Sequence, residues 1–223
     1  MQVSTSYSSK SLYHDETYYS KPDIYIINNM PARGCQSAMA YIFSGGAHCC
    51  TTSILATKCG NYEHAYSIEL GDSVRQSIRY IKFRKNESRK ISLYDWSFAY
   101  YNIDGTHSLC FACSPAFRRL LVFDENKLRP DAPREFKSYY ANLLTQTQQN
   151  MIEAQGTSAS DDSDMVALSI TKAYYALMSG MTESQCRTML YSDLPQAWQS
   201  VRSRVFTDIK KAVLTFDPIK ILR

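Results

Sequence analysis

At 223 residues the chain can bury a real core, and its 44% hydrophobic and 21% charged content is that of an ordinary globular protein. A formal charge of +4 is too small to imply a nucleic-acid partner by itself, and no run approaches the ~18 consecutive apolar residues that a membrane span needs. The distribution says more: residues 1–72 carry a net −2, residues 73–134 a net +6 and residues 135–223 a net 0, so the excess positive charge sits in the middle.

Residues 1–20 read as a polar Ser/Tyr arm with no sustained period and too few aliphatic residues to fold alone. Tyr7, Tyr13, Tyr18 and Tyr19 are candidate anchors onto another copy of the chain, because tyrosine offers a large apolar face and one hydroxyl for two frozen torsions. The arm has no apolar stretch of the secretory kind, so an intracellular protein (cytoplasmic or nuclear) with reduced, buried thiols is expected from its seven cysteines.

From residue 21 to about 130 the sequence is β-rich. Ile24–Ile27 is a short apolar run ending in Asn28-Asn29, and Met30–Gly34 reads as a turn. Met39–Phe43 and Thr51–Thr57 follow as strands, and Tyr66, Ile68 and Leu70 alternate with Ser67 and Glu69 up to Gly71. Four more runs fill Ser77 to Asp124, namely IRYIKFRK, ISLYDWSFAYYN, HSLCFAC and AFRRLLVF, which suggests a four-stranded meander. Asn102–Gly105 carries the Asp-Gly signal of a tight hairpin. The phase of the apolar residues changes near Tyr94, which calls for a β-bulge or for a strand covered on both faces.

Beyond Pro133 the period becomes helical. Phe136, Tyr140, Leu143, Leu144, Thr147 and Met151 share one face, and a second helix is expected over about 165–179, stopped by Gly180, with Asp164 as its N-cap. Thr182 and Gln185 form a capping box for a third, and Pro195 suits the first position of a fourth that ends before Pro218. The expected fold is therefore α+β: an antiparallel β-sandwich or barrel-like region over 21–130, with a layer of three to four helices over 131–223 packed on it as one unit.

No complete chemical motif is present. Neither GxGxxG nor GxxxxGK[ST] occurs, so no cofactor is expected. Cys110-Phe111-Ala112-Cys113 is the one CxxC; without a matching half-site no metal is expected there. Set in an apolar strand it would hold two buried thiols, and it lacks the strand-to-helix setting of a thioredoxin-type redox pair. Cys49 or Cys50, after Gly45-Gly46, could serve as a nucleophile with His107 or His64 as base, and Asp104 or Asp95 to orient the imidazole. Arg79, Lys82, Arg84, Lys85, Arg89 and Lys90 place six cations among Tyr80, Phe83 and Tyr94, a pattern that could hold single-stranded RNA or DNA, or else solubilise a hairpin. The leading functional expectation is a non-enzymatic, self-assembling structural protein of the viral coat, matrix or occlusion-lattice kind. Its grounds are the 17 tyrosines, the polar arm and the lack of catalytic signatures. A nucleic-acid binder and a cysteine-dependent enzyme or host-directed effector are the alternatives.

Overall fold

The computed structural model describes residues 23–43, 51–73, 75–84, 87–125, 127–156 and 162–222. The expected arm, with Tyr7, Tyr13, Tyr18 and Tyr19, lies outside them, as do Cys49, Cys50 and Lys85.

Two antiparallel sheets and four helices make an α+β fold. The first sheet contains β1 (Asp23–Asn28), β2 (Gln36–Phe43), β3 (Thr51–Cys59), β4 (Tyr62–Gly71) and β9 (Ile219–Leu222), in the order β1-β2-β3-β4-β9. The second contains β5 (Arg79–Ile81), β6 (Lys90–Asp95), β7 (Phe117–Asp124) and β8 (Lys127–Pro130), paired in sequence. Neither sheet closes on itself, so the barrel-like alternative gives way to a sandwich-like one. Met39, Leu55, Tyr66, Ile68 and Leu70 from the first sheet share a buried core with Ile91, Leu93, Leu121 and Leu128 from the second.

The helices are α1 (Lys137–Gln155), α2 (Asp162–Ser179), α3 (Glu183–Asp193) and α4 (Arg202–Thr215). They bury a second core with Phe98, Tyr101, Leu109 and Phe117, in which Val166, Ile170, Ala173 and Tyr174 of α2 and Val205 and Ile209 of α4 are central. The expected start of α3 and stop of α2 both form: Thr182 accepts from the Gln185 amide while the Gln185 side chain accepts from the Thr182 amide, and Gly180 leaves α2 with a φ of +101°. Asp164 lies inside the first turn of α2, where its charge still suits the helix N-terminus, and is not the cap. Pro195 precedes a 3-10 helix, Gln196–Val201, which then runs on into α4.

The central meander differs most from expectation. β5 is only three residues long, and β6 stops at Asp95 because that carboxylate accepts the Ser97 amide at 2.9 Å, an Asx turn that bends the chain. Turns at Trp96–Ala99 and Phe98–Tyr101 then send Phe98 and Tyr101 into the helical core. Asn102 and Ser108 form an isolated bridge, so the Asp-Gly turn exists but joins no long strands. Residues 107–113 are not a strand: Cys110 and Cys113 are disulfide-bonded with Cα atoms 5.0 Å apart, half the ~10 Å that three extended residues would span. The fourth strand of this sheet is β8. As for Tyr94, β6 is covered on both faces, with Ile91 and Leu93 in the inter-sheet core and the Ser92 hydroxyl bonded to that of Tyr139 on α1 at 3.2 Å. The register irregularity falls instead between β3 and β4, at Thr51/Thr52.

The expected reduced thiols are likewise corrected at four positions. Cys35 and Cys59 form a second disulfide, which ties the start of β2 to the end of β3, and Cys186 is the free cysteine among the described residues. Burial pushes the Cys186 thiol up to about 11.

Among the described tyrosines, Tyr66, Tyr101, Tyr140, Tyr174 and Tyr175 are buried inside the molecule. Arg119 on β7 is fully buried and donates from Nε to Asp131 Oδ1 at 2.9 Å, from Nη2 to the Asp131 carbonyl at 2.8 Å and from Nη1 to the Tyr174 hydroxyl at 2.7 Å. Tyr174 in turn donates to Asp95 at 2.8 Å, and Tyr140 donates to the other oxygen of Asp131. Burial, reinforced by the neighbouring carboxylates, holds the Tyr140 and Tyr174 hydroxyls well above their usual range, so they stay protonated as donors. Tyr66, Tyr101 and Tyr175 bond Leu128, Asp208 and Arg118 across separate elements. A tyrosine fills core volume and satisfies a buried polar group with one side chain.

Candidate ligand-binding groove

One outer strand from each sheet, β1 and β5, borders a groove of about 580 Å³. Alternation along β1 and β2 brings Tyr25 and Tyr41 to it; Tyr41 pairs with Asp23, two residues before Tyr25, and the two diagonal rings meet edge to face at 5.8 Å. Tyr80 of β5 reaches over from the second sheet, its hydroxyl 3.2 Å from that of Tyr41 and 2.9 Å from the Met39 sulfur. Asn28, Gln76 and Arg89 supply polar groups around these three rings. The groove thus combines aromatic faces for a planar ligand with one guanidinium for an anion.

Of the six cations expected to act together, the five that are described are divided. Arg89 lines the groove. Arg79 is exposed but follows β5 on the face opposite Tyr80, toward Tyr139 of α1. Lys82 and Arg84 are exposed at the end of β5. Lys90 is buried: it pairs with Glu87, donates to the Ser88 carbonyl at 3.1 Å and lies 5.8 Å and 6.0 Å from the ring centres of Phe83 and Phe136. Lys90 is therefore removed from any surface patch and serves packing.

The described catalytic candidates have other partners. The His107 Nδ1 faces Asp104 at 2.9 Å, the orienting contact envisaged from the sequence, but Nε2 lies 3.0 Å from the Ala197 carbonyl and the ring sits edge-on to Trp198 at 5.4 Å. The imidazole braces the 102–108 loop against the 3-10 helix. Hydrogen bonds to Asp104 and then to Ala197 raise its pKa, and the hydrogen bond from the His107 backbone amide, followed by that from the ring, lowers that of Asp104. Asp95 is committed to Tyr174. His64 lies on β4 with its ring 6.1 Å from that of Tyr66. Among the described residues no His, Cys, Asp or Glu cluster could hold a metal ion, and no helix is long and apolar enough to cross a membrane.

What sequence reasoning missed is the groove itself. Tyr25, Tyr41 and Arg89 come from separate segments, and only the pairing of β1 with β2 and the packing of the two sheets bring them together. No protein-family model, curated protein or solved structure matches the chain.

Proposed function

We propose that this is a non-catalytic binding protein that holds single-stranded nucleic acid in the groove between β1 and β5. The observation that carries the reading is the convergence of three tyrosine rings with Arg89 beside the basic segment of the chain. Bases can stack on tyrosine faces in any sequence while phosphates meet arginine and lysine, and Lys82 and Arg84 extend the positive field beyond the groove. Disulfides at Cys35–Cys59 and Cys110–Cys113 favour an oxidising compartment or a particle surface over the intracellular address expected from the sequence.

The test is fluorescence anisotropy with random single-stranded RNA and DNA oligonucleotides, on protein freed of bound nucleic acid, at two salt concentrations. Tyr25→Ala should weaken binding about fivefold or more, from the ~1–3 kcal/mol typical of one base stack. Arg89→Ala with Lys82→Ala should flatten the salt dependence, because fewer counterions are released. Binding that is equal for duplex and single strand, and unchanged in these variants, refutes the proposal.

A second reading, self-assembly into a lattice, draws on a different feature. The outer strands of the larger sheet carry exposed isoleucines, Ile26 on β1 and Ile221 on β9 at 56% and 68% exposure. Such edges favour strand-to-strand addition between copies. Light scattering that shows a monomer at high concentration rules this out.

A further inference from the structure

The disulfide between Cys110 and Cys113 has little to do for the shape of its own loop. Three hydrogen bonds already hold that turn: Cys113 N–H to the Cys110 carbonyl at 3.2 Å, Ser114 N–H to the Phe111 carbonyl at 3.1 Å, and the Ser114 hydroxyl to the Cys110 carbonyl at 2.8 Å. A link across a sequence separation of 3 also removes little chain entropy beside the one across 24 at Cys35–Cys59. Opening the short bridge therefore leaves its turn standing, which a disulfide that cycles requires.

The two sulfurs are not equivalent. Cys110 is exposed and Cys113 half-buried, so an incoming thiolate meets Cys110 first. The Cys113 amide hydrogen points at the Cys110 sulfur, with N and Sγ 3.1 Å apart, and so stabilises negative charge on that atom. The surroundings also offer a place for a polypeptide. Phe111, between the two cysteines, stacks flat on Trp96 at 5.6 Å and lies 5.1 Å from Tyr100, whose side chain is 57% exposed. On the other side, Cys113 and Pro115 border a hollow of about 340 Å³ against Ala167 and Thr171 of α2.

We propose that Cys110–Cys113 is a thiol–disulfide exchange centre that oxidises peptide dithiols carrying aromatic or apolar residues beside their cysteines. A substrate thiolate attacks Cys110 Sγ, the Cys110–Cys113 bond breaks, and the electron pair leaves on Cys113 Sγ, which takes up a proton. The second substrate thiolate then attacks its own sulfur in the mixed disulfide. This releases an oxidised peptide and the Cys110 thiolate, which is held by the Cys113 amide until protonated. Two electrons pass from peptide to protein, and the two substrate protons end on the two cysteines. A low-molecular-weight disulfide such as oxidised glutathione restores the bridge by the reverse exchange.

The experiment uses the full chain with a synthetic peptide containing two cysteines flanked by phenylalanine, and oxidised glutathione as terminal oxidant. Peptide oxidation is followed by acid quench and mass spectrometry. Wild-type protein should speed oxidation about tenfold or more over the glutathione background, given the stabilised Cys110 thiolate. Cys113→Ser should slow turnover and, when oxidised glutathione has first capped its Cys110 and a single-cysteine analogue of the peptide displaces the glutathione, accumulate that peptide on Cys110, whereas Cys110→Ser should lose both turnover and adduct. Removing Cys35 and Cys59 together should leave the rate unchanged at a temperature where circular dichroism shows that variant folded. Equal rates for wild type and Cys110→Ser, with unchanged circular dichroism, overturn the proposal. So does an adduct distributed equally over Cys110 and Cys113 in the two single variants.

Discussion

Arg119→Met should be among the most damaging single changes in this protein. The guanidinium is about 1% exposed and makes three hydrogen bonds of 2.9 Å or less to Asp131 and Tyr174, with a fourth to the Val213 carbonyl at 3.3 Å. Methionine replaces much of the aliphatic stem but neither the guanidinium, whose carbon lies 4.6 Å from the Phe216 ring centre, nor any of the donors. Asp131 then remains as a buried carboxylate whose main charge partner is gone, a situation that typically costs about 3–5 kcal/mol. For a chain of this size, that corresponds to a fall in Tm of roughly 6–20 °C. The assay is urea unfolding followed by circular dichroism, with the midpoint read at unchanged m-value. Arg119→Met combined with Asp131→Leu and Tyr140→Phe should lose less than Arg119→Met alone, because it removes the stranded charge and the hydroxyl that serves it. A single variant within about 1 kcal/mol of wild type, or a triple variant far worse than the single, would refute the account of this network.

The pH dependence of the His107 brace has a definite sign. Its folded pKa is raised, so its contribution is complete below the unfolded value of about 6.5 and is lost as pH rises through the folded value. Urea midpoints between pH 6 and 9 should decline for wild type more than for His107→Gln, and an NMR titration should place the His107 midpoint above the model-peptide value. Replacing Cys35 and Cys59 by serine should remove about 3 kcal/mol, from a bridge spanning a sequence separation of 24, as measured by the denaturation midpoint without reductant. Gly71→Ala should destabilise by about 1–3 kcal/mol, since a φ of +57° strains any side chain and a Cβ there would come within 2.6 Å of the Trp96 ring, which is held by its bond to Ser73. Thermal melts that show Gly71→Ala as stable as wild type would refute that packing.

Signals confined to a few neighbouring residues were the legible ones. The Thr182–Gln185 box, the stop at Gly180 and the alternation from Tyr66 to Leu70 depend on contacts within a turn or strand, so the residues alone specify them. Residues 107–113 alternate as a strand would, yet the chain turns at Cys110–Ser114, where the Cys113 and Ser114 amides bond back to the Cys110 and Phe111 carbonyls. Tyrosine content was equally ambiguous. Its β-propensity and its suitability for interfaces are visible in composition, but the meeting of Tyr140 and Tyr174 with Asp131 and Arg119 depends on β7, α1 and α2 arriving together. The same holds for the groove, whose rings belong to different sheets. Ile219–Leu222 escaped notice because four residues after a proline carry no period of their own; only β4 makes them a strand.

That last strand has a bearing on how the polypeptide is made. Its pairing of Ile68 with Ile219 and Ala65 with Leu222 means that the first sheet waits for residues synthesised some 150 positions later, as the contact between Lys220 and Glu69 also records. Until the ribosome has delivered them, β4 presents a bare hydrogen-bonding margin to whatever else is nearby. A nascent or prematurely terminated chain is therefore the species most at risk of aggregating, and deleting residues 219–222 should lower soluble yield more than a loop deletion of equal length.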